Sequence, residues 1–363
     1  MSKQPSLNTS PSGTRFRYGL GYAYADVSKQ SLEISSNWLN ETTALSHTLN
    51  QIYKHYQQDG ESVSSSSSVP VWLMYNDQPP IYKHYSAENQ VYEFDFEDLP
   101  EDLLEEMFGS VSSDYAHSKG SLAFNDDHGF WLIHSTPRFP WDAKSYPYQY
   151  PSNEVKNGQS YLCVSYNADQ FDSIIKMLYV NRAYVYTYDV PTETKLPMTE
   201  LKNLLSGGFE ASPTATSKVL TSSAKTEVTV FAKNKQWYSD LYEDLLQPTI
   251  QQNMIVTTWR IGSNSSVMPS FCPPQYKYDS INTVQLTISE GTDNVMTWKY
   301  TKDHSKWAIS MPDEPTFYVC IGDINKTYSQ YNRGGGTACI VSKTLWESYY
   351  AMVAAMNGCP TTD

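Results

Sequence analysis

Asp303-His304-Ser305-Lys306-Trp307 contains the tripeptide His-Ser-Lys, which also occurs earlier in the chain at His117-Ser118-Lys119. The chain has seven histidines, and two of them lie in these identical tripeptides, one in each half. Alternate side chains of a strand point to the same face, which places the histidine and the lysine of each tripeptide side by side. Two such pairs facing each other would supply a nucleophile, a general acid and two cations that bind an anion. Cleavage of a phosphodiester requires these groups when no metal is used.

Length and charge limit the fold and the function. With 363 residues and a mass of 41.3 kDa, the chain could form one large α/β domain or two related halves. Its 26 basic and 39 acidic residues give a formal charge of −13 at pH 7, which argues against binding nucleic acid through a broad basic surface. Protonation of the seven histidines would raise this charge to −6, so a protein acting on DNA would be better suited to acid.

The cysteines, the N-terminus and the sequons are considered for what they indicate about metal binding and the location of the protein in or outside the cell. Four of the five cysteines lie in the last 92 residues, and no C-x-x-C sequence occurs, so a structural zinc site is not expected. No run is long and apolar enough to span a membrane, and residues 1–5 show no apolar signal-peptide region. Sequons of the type N-x-S/T, which are compatible with secretion, begin at Asn8, Asn40, Asn264 and Asn325.

Composition divides the chain into a tail and one folded domain. Residues 1–14 are polar and rich in serine and proline, which predicts a disordered tail. We expect a folded domain over 15–363, with related halves at about 15–190 and 191–363. Strands interleaved with helices in both halves predict an α/β fold, with a mixed β-sheet flanked by helices in each half. Individual expectations include an acidic helix at 99–108, a polar loop at 212–223, and helices at 235–246 and 343–356.

Further polar residues follow each His-Ser-Lys tripeptide at comparable distances. His134 ends an apolar run and stands 17 residues after His117. In the second half, Asp323 and Asn325 stand 19 and 21 residues after His304, at the corresponding position. A single histidine at the end of a core strand is more often structural than functional, so both roles stay open for His134.

Several blocks of sequence, taken together, resemble the deoxyribonuclease II family. They run from about residue 75 to 359, so the resemblance covers most of the chain. Each block is weak alone, whereas the set in this order is specific. Besides the last cysteine, the blocks are Tyr75-Asn76-Asp77-Gln78-Pro79-Pro80, His117-Ser118-Lys119-Gly120, Gly129-Phe130-Trp131-Leu132-Ile133-His134-Ser135-Thr136-Pro137-Arg138-Phe139-Pro140, Asp303-His304-Ser305-Lys306-Trp307, Cys320-Ile321-Gly322-Asp323-Ile324-Asn325 and Arg333-Gly334-Gly335-Gly336-Thr337-Ala338-Cys339.

The resemblance implies a phospholipase D-like fold, an α/β structure of two pseudo-symmetric halves that each contribute one H-x-K motif. The phospholipase D pattern also has an aspartate seven residues after the histidine, where this chain has Phe124 and Met311. Gly322-Asp323-Ile324-Asn325 is similar to the G-S-x-N element of that pattern, with aspartate in place of serine. These departures fit the deoxyribonuclease II branch and argue against a lipid substrate.

The resemblance also implies how the cysteines pair, Cys320 with Cys339 and Cys272 with Cys359. A disulfide that closes a loop of about 20 residues contributes about 3 kcal/mol in the chain-entropy model. Cys163 stands where the family has a half-cystine bridged to the N-terminus. Because this chain has no cysteine before residue 163, we expect Cys163 to be free. Reduction of all five cysteines is the alternative.

The activity implied by the resemblance is that of a metal-independent acid endodeoxyribonuclease without a cofactor. Its substrate would be DNA, mainly double-stranded, and its products would carry 3′-phosphate and 5′-hydroxyl ends. The family implies a secreted or lysosomal/endosomal location, no membrane insertion, and a homodimer as one state.

Two other functions stay open: a metal-free ribonuclease, and a catalytically weak or dead nucleic-acid-binding or toxin-like relative. A His/Asp metal site is a weaker option, because no carboxylate falls at ligand spacing around either H-x-K motif.

The resemblance and phosphoryl-transfer chemistry assign roles to the site residues. Lys119 and Lys306 would neutralise the phosphate oxygens. One histidine must be neutral to attack phosphorus and the other protonated to release the 5′-oxygen. By analogy with phospholipase D, His117 is the nucleophile that forms a phosphohistidine, and His304 is the acid. From a reference pKa of about 6.5, adjacent lysines and phosphate pull in opposite directions, which favours mixed protonation in mild acid. The residues expected to orient the site are His134, Asp323 and Asn325.

Overall fold

The computed structural model describes residues 1–7, 14–56, 70–80, 111–262, 267–290 and 294–359. These residues form two multi-stranded β-sheets flanked by short helices. The acidic helix expected at 99–108 lies outside the described residues. One sheet is built from residues before 190 and the other from residues after 214, so the change of sheet falls close to the expected boundary between the halves. Among the described residues, no helix has both the length and the apolar character needed to cross a membrane.

The first sheet contains eight strands within the described residues. Their bounds are Ser2–Lys3 (β1), Tyr22–Tyr24 (β2), Glu33–Ile34 (β3), Val71–Asn76 (β4), Lys119–Phe124 (β5), His128–His134 (β6), Gln159–Asn167 (β7) and Val185–Asp189 (β8). The strand order is β3-β2-β1-β7-β6-β5-β4-β8, and neighbouring strands are antiparallel. All residues of β4 and β5 are buried, as expected for central strands covered on both faces.

The second sheet contains nine strands in the described part of the chain. Their bounds are Ala215–Thr221 (β9), Glu227–Lys233 (β10), Met254–Thr257 (β11), Ser280–Glu290 (β12), Asn294–Lys299 (β13), Trp307–Ser310 (β14), Tyr318–Gly322 (β15), Gly335–Val341 (β16) and Val353–Met356 (β17). The order is β13-β12-β11-β14-β15-β16-β10-β9, and β17 pairs with β12. The sheet is mixed, because β11 and β12 are parallel while β11 and β14 are antiparallel.

The described α-helices are Ala44–Tyr53 (α1), Phe171–Asn181 (α2), Thr199–Leu205 (α3), Gln247–Ile250 (α4) and Lys343–Ala351 (α5). Shorter 3₁₀ turns span Ser152–Val155, Ala168–Gln170, Lys235–Trp237, Tyr300–Lys302 and Tyr328–Asn332, and a π-helical turn spans Tyr242–Leu246. α1 begins with a capping box, in which the side chains of Thr43 and Ser46 each accept a hydrogen bond from the other's backbone N–H. α2 ends at Arg182, whose left-handed φ of 60° stops the helix.

A shared core joins the two sheets. Leu122 and Trp131 of the first sheet, Ile174 of α2 and Val230 of the second sheet belong to one cluster of buried side chains. Fully burying one such side chain contributes about 1.5–3 kcal/mol relative to leaving it exposed. The packing therefore holds the strands of the two halves in a defined arrangement, on which the geometry of any site shared by both halves depends.

The expectation of a disordered tail at 1–14 is wrong for the first seven residues, which are ordered. β1 pairs with β2 on one side and with β7 on the other. The ammonium of Lys3 is buried and donates to the carbonyls of Val155 (3.0 Å) and Asn157 (2.5 Å). These partners are more than 150 positions away, so a local polar composition could not indicate them. Residues 8–13 lie outside the described part of the chain.

Three further expectations about single elements are wrong. The predicted loop at 212–223 contains β9, because all seven of its residues pair with β10 and a serine- and threonine-rich strand is tolerated at a sheet edge. The predicted helix at 343–356 ends at Ala351, since the following residues pair with β12 instead. The predicted helix at 235–246 is interrupted at Tyr238, whose φ of 54° is incompatible with a continuous right-handed helix.

Both predicted disulfides are confirmed. Cys272 is bonded to Cys359, and Cys320 is bonded to Cys339. The second bridge joins directly paired residues of β15 and β16, next to the Gly322–Asn325 turn. Cys163, on β7, is free as predicted.

Candidate active site

Each His-Ser-Lys tripeptide leads into a strand and is held by the opposite half. The first tripeptide enters β5 and the second directly precedes β14. The backbone N–H of His117 donates to the carbonyl of Gly334 in the second half (2.9 Å). Conversely, the backbone N–H of His304 donates to the carbonyl of Gly158 in the first half (2.8 Å). This exchange of hydrogen bonds brings the two H-x-K motifs to one site at the junction of the sheets.

The ring of His117 is held by a backbone carbonyl. Its Nδ1 lies 2.6 Å from the carbonyl oxygen of Asp323. A carbonyl oxygen can only accept a hydrogen bond, so Nδ1 carries the proton and the neutral ring has its lone pair at Nε2. Nε2 lies 4.0 Å from a carboxylate oxygen of Asp77, and the side chain is 17% exposed. The arrangement leaves Nε2 available to attack an electrophile.

Asp77 follows β4 and is a buried carboxylate among cationic side chains. Lys119 donates to one of its oxygens, and the guanidinium of Arg333 donates to the other at 2.8 Å. Arg333 belongs to the second half, so this ion cluster also joins the halves. Burial opposes ionisation of Asp77, but the charges of Lys119 and Arg333 outweigh it and hold the pKa of the carboxyl well below its usual range.

The ring of His304 is held by an aromatic contact. Its centroid lies 4.4 Å from that of Trp259, with 59° between the ring planes. The Oδ1 atom of Asn325 accepts a hydrogen bond from the backbone N–H of Trp259 (3.1 Å), and the indole N–H donates to the carbonyl of Thr301 (3.3 Å). The sequence-predicted residue Asn325 therefore contacts the residue that packs against His304.

The site has a positive electrostatic balance around both imidazoles. Burial lowers the pKa of His117 and of His304 well below 6.5, and the lysine of each motif adds to the effect. Each histidine is also influenced by the lysine of the other half, Lys306 for His117 and Lys119 for His304. Burial, followed by the charge of Lys119, lowers the pKa of Lys306 to about 7, and its ammonium donates to the carbonyl of His304 (2.7 Å). Both histidines thus have low pKa values in the free site, and the expected mixed protonation in mild acid stays a prediction.

Asp323 makes two contacts that explain the glycine run of the second half. Its carbonyl holds His117, while its carboxylate accepts a hydrogen bond from the N–H of Gly336 (2.7 Å). A Cβ on Gly335, which has a φ of 158°, would lie 2.6 Å from a carboxylate oxygen of Asp323. Only glycine fits there without displacing the carboxylate. Burial raises the pKa of Asp323 to about 7, so the group is protonated in acid.

His134 lies beneath the site and is fully buried. It is the cross-strand partner of Lys119, and its Nδ1 accepts a hydrogen bond from the backbone N–H of Thr136 (3.2 Å). Burial and the charge of Lys119 lower the pKa of His134 to about 3. The ring is therefore neutral in mild acid, which suits a residue that supports Lys119 rather than one that transfers a proton.

Comparison with known proteins agrees with this arrangement. A family model described as Deoxyribonuclease II matches residues 1–359. The chain belongs to the deoxyribonuclease II family. It is 33% identical to Deoxyribonuclease-2 of Caenorhabditis elegans over 98% of this chain and 89% of that protein. It is 31% identical to Plancitoxin-1 of Acanthaster planci (94% and 84%) and 30% identical to Deoxyribonuclease-2-alpha of Rattus norvegicus (96% and 88%).

The fold class and family expected from the sequence are thus confirmed, except that the described sheet of the first half is antiparallel and only that of the second half is mixed. The two multi-stranded sheets with few helices agree with the two-half, phospholipase D-like α/β fold of the deoxyribonuclease II family. At the positions where the phospholipase D pattern has aspartate, Phe124 is buried in the shared core and Met311 packs against a second apolar cluster. Apolar packing has taken the place of a polar group at both positions.

Three residues at the site of this deoxyribonuclease II family member were absent from the sequence-based set. Asp77 and Arg333 lie within blocks that carry the family resemblance, so those blocks contained a signal for them, but nothing local indicates that they pair. Trp259 lies two residues after the end of β11, and no motif in the sequence pointed to it. Its relation to the site depends on Asn325, which is 66 positions away.

Proposed function

We propose that this protein is an acid endodeoxyribonuclease that cleaves DNA without a metal through a phosphohistidine, leaving 3′-phosphate and 5′-hydroxyl ends. The observation that carries the proposal is that two histidines of one site are held by different contacts. His117 has a hydrogen-bonded Nδ1 and an open Nε2, whereas His304 packs against an indole and has no such carbonyl restraint among the described hydrogen bonds. The names of the relatives, two of which are deoxyribonucleases, support DNA as the substrate.

The proposed reaction has two steps. In the first, Nε2 of His117 forms a bond to phosphorus, the bond from phosphorus to the 5′-oxygen breaks, and protonated His304 gives its proton to that oxygen. The result is a phosphohistidine whose positive ring is stabilised by the carbonyl of Asp323. In the second, water attacks phosphorus, the phosphorus–nitrogen electron pair returns to His117, and neutral His304 accepts the proton of the water.

Charge at the site supports a reaction without a metal. Lys119, Lys306 and Arg333 are cations that would repel a metal ion and attract a phosphodiester. The carboxylate of Asp77 is already engaged by Lys119 and Arg333, which leaves it a poor ligand. The ammonium groups can therefore neutralise the negative charge that develops on the phosphate oxygens.

Acid favours the proposed reaction for two reasons. Below about pH 7, Asp323 is protonated and does not repel the phosphate, while Lys306 keeps its charge. In the free site, burial and the nearby lysines lower the pKa of both histidines well below 6.5, which favours their neutral forms. A bound phosphodiester adds negative charge and raises the pKa of His304, so the acid is generated when substrate is present.

The remaining predicted residues have orienting roles in this proposal. Asp323 sets the tautomer of His117, Asn325 holds the backbone of Trp259 against His304, and neutral His134 supports Lys119. Double-stranded DNA as the preferred substrate and a homodimer as one state follow from the family resemblance. A secreted or lysosomal/endosomal location follows from it too, and the two disulfides support an oxidising compartment.

The test is cleavage of plasmid DNA at about pH 5, below the histidine reference value, in the presence of EDTA. We expect nicking and linearisation by the unchanged protein, and loss of both in His117→Ala and His304→Ala. His128→Ala, which removes an exposed histidine at the start of β6, is the matched control and should stay active. Loss of cleavage in EDTA, full activity of both site variants, or 5′-phosphate ends would each overturn the proposal.

A further inference from the structure

We propose that Trp259 is a positioning residue for His304: its indole fixes the orientation of the imidazole and excludes water from one side of it. The inference rests on the proposed function of the site and extends it to a residue outside the two H-x-K motifs. Trp259 does not transfer a proton and is not assigned to contact the reacting atoms. Its effect on the reaction would be exerted through His304.

The geometry supports this role because hydrogen bonds hold Trp259 in place, whereas the ring of His304 is held by its contact with that indole. The ring centroids of Trp259 and His304 are 4.4 Å apart, within the range of direct aromatic contact. Trp259 is itself fixed at both ends, by Asn325 at its backbone N–H and by Thr301 at its indole N–H. Both rings are half-buried, so the indole shields the imidazole at the edge of the site.

The other groups that act on His304 do not provide such a support. Lys306 and Lys119 contribute positive charge, and Lys3 does so from the N-terminal strand. The carboxylate of Asp303 is already occupied by the indole N–H of Trp298 (2.7 Å) and the backbone N–H of Ser305 (2.9 Å). No carboxylate among the described residues forms a hydrogen bond to the His304 ring, so packing and burial determine its orientation and protonation.

This packing has a consequence for the timing of proton uptake. Burial is the largest cause of the low pKa of His304, ahead of the lysine charges. An indole that keeps water away therefore holds the free histidine neutral, and the ring gains its proton once a phosphodiester supplies negative charge. Trp259 would make the general acid available together with the substrate. Removing the indole should hydrate His304 and let it protonate in the empty site.

The first experiment measures the His304 ring directly, by NMR titration of the histidine Cε1–H signals in the full-length protein without substrate. His304→Gln identifies the signal. In Trp259→Leu we expect the pKa of His304 to rise toward the reference value of about 6.5. In Trp259→Phe, which keeps an aromatic ring, it should stay close to that of the unchanged protein. Trp38→Leu is the matched control, because Trp38 is also half-buried but packs on Tyr18.

The second experiment measures cleavage of an oligonucleotide as a function of pH. Trp259→Leu should lower kcat about tenfold with little change in KM, since a displacement of about 1 Å costs up to about 10²-fold in rate. The limb of the kcat/KM profile that reports free His304 should move to higher pH. Trp259→Phe should restore most of the rate and the original profile.

The two experiments separate the possible outcomes. An unchanged titration of His304 in folded Trp259→Leu would overturn the inference, whether or not the protein cleaves DNA. A raised pKa together with an inactive unchanged protein would support the inference about the ring and contradict the proposed function. A lower melting temperature with an unchanged titration and pH profile would mean that Trp259 only stabilises the fold, which also overturns the proposal.

Discussion

His117 and His304 lie in identical tripeptides, and the residues around them differ. The first-half ring is held by a carbonyl and stands 4.0 Å from the carboxylate oxygen of Asp77 that accepts from Arg333, while Lys119 donates to the other oxygen. The second-half ring rests on Trp259. A hydrogen-bonded Nδ1 suits a nucleophile, which needs one tautomer, whereas a ring held by packing can gain and lose a proton at either nitrogen. In the proposed mechanism the tripeptides supply the reacting groups, and their surroundings assign a different role to each histidine.

The two lysines differ in the same way. Lys119 donates to the carboxylate of Asp77, while Lys306 donates to a neutral carbonyl and has a pKa lowered to about 7 by burial and by Lys119. Lys306 therefore loses its charge as the pH rises through neutrality, while Lys119 is held in an ion cluster. The lysines of the two motifs therefore have different surroundings, although the tripeptides are identical.

The largest expected effect separates nucleophile from acid by changing the leaving group. On DNA, His117→Ala and His304→Ala should each lose about 10²–10⁴-fold or more in rate. On thymidine 3′-(p-nitrophenyl phosphate), the leaving nitrophenolate needs no proton, so His304→Ala should release it at nearly the normal rate in the first turnover. His117→Ala should remain inactive. The measurement is the burst of nitrophenolate, read after an alkaline quench, and equal losses on both substrates in both variants would contradict the assignment.

The next effect concerns the ion cluster of Asp77, Lys119 and Arg333, which lies beside His117 and not beside His304. Asp77→Asn would leave Lys119 and Arg333 buried without a carboxylate, and breaking a buried pair typically costs about 3–5 kcal/mol. Asp303→Asn, in the second half, removes a buried carboxylate whose described hydrogen-bond donors are neutral N–H groups, so we expect a smaller loss of about 1–3 kcal/mol. Urea unfolding measures both. A larger loss for Asp303→Asn would show that the cluster does not hold the halves together.

A smaller, pH-dependent effect should distinguish Asp323. Its pKa in the folded protein is about 7, above the reference value of about 3.9, so protonation favours folding. This contribution is complete below about pH 4 and is lost as the pH rises to about 7, by up to about 1.4 kcal/mol per pH unit. Asp323→Asn should flatten the decline in the free energy of unfolding over this range and move the alkaline limit of DNA cleavage to higher pH.

Glu243 provides the control for Asp323. Its pKa is also raised to about 7, mainly by burial, but it lies in the π-helical turn and contacts no H-x-K residue in the described hydrogen bonds. Glu243→Gln should flatten the stability profile and leave the pH dependence of cleavage unchanged. If both variants moved the cleavage limit equally, the limit would reflect unfolding rather than the charge of Asp323.

The residues of this site that belong to short sequence motifs could be predicted from the sequence. Two H-x-K tripeptides, His134 and the turn with Asp323 are short motifs, so the residues and the family could be predicted from them. The pairing of Asp77 with Arg333, 256 positions away, depends on how the sheets pack and has no local signature. The same reason explains β1 and β9, whose polar residues form strands because partners elsewhere satisfy their backbone groups.

The smallest expected effect tests whether Asn325 acts through Trp259. Asn325→Leu removes the acceptor for the backbone N–H of Trp259, and loss of one such hydrogen bond is worth about 1 kcal/mol, or about fivefold in kcat/KM. The change should resemble a weak form of Trp259→Leu, with a higher pKa of His304. Asn325→Asp, which keeps an acceptor at this position, should retain more of the rate.

In a double-mutant cycle, Asn325→Leu should add little to Trp259→Leu, because both remove the same support from His304. Additive losses would mean that Asn325 affects the site independently of Trp259. The contact between Trp259 and His304 would then not be the whole difference between the surroundings of His304 and those of His117.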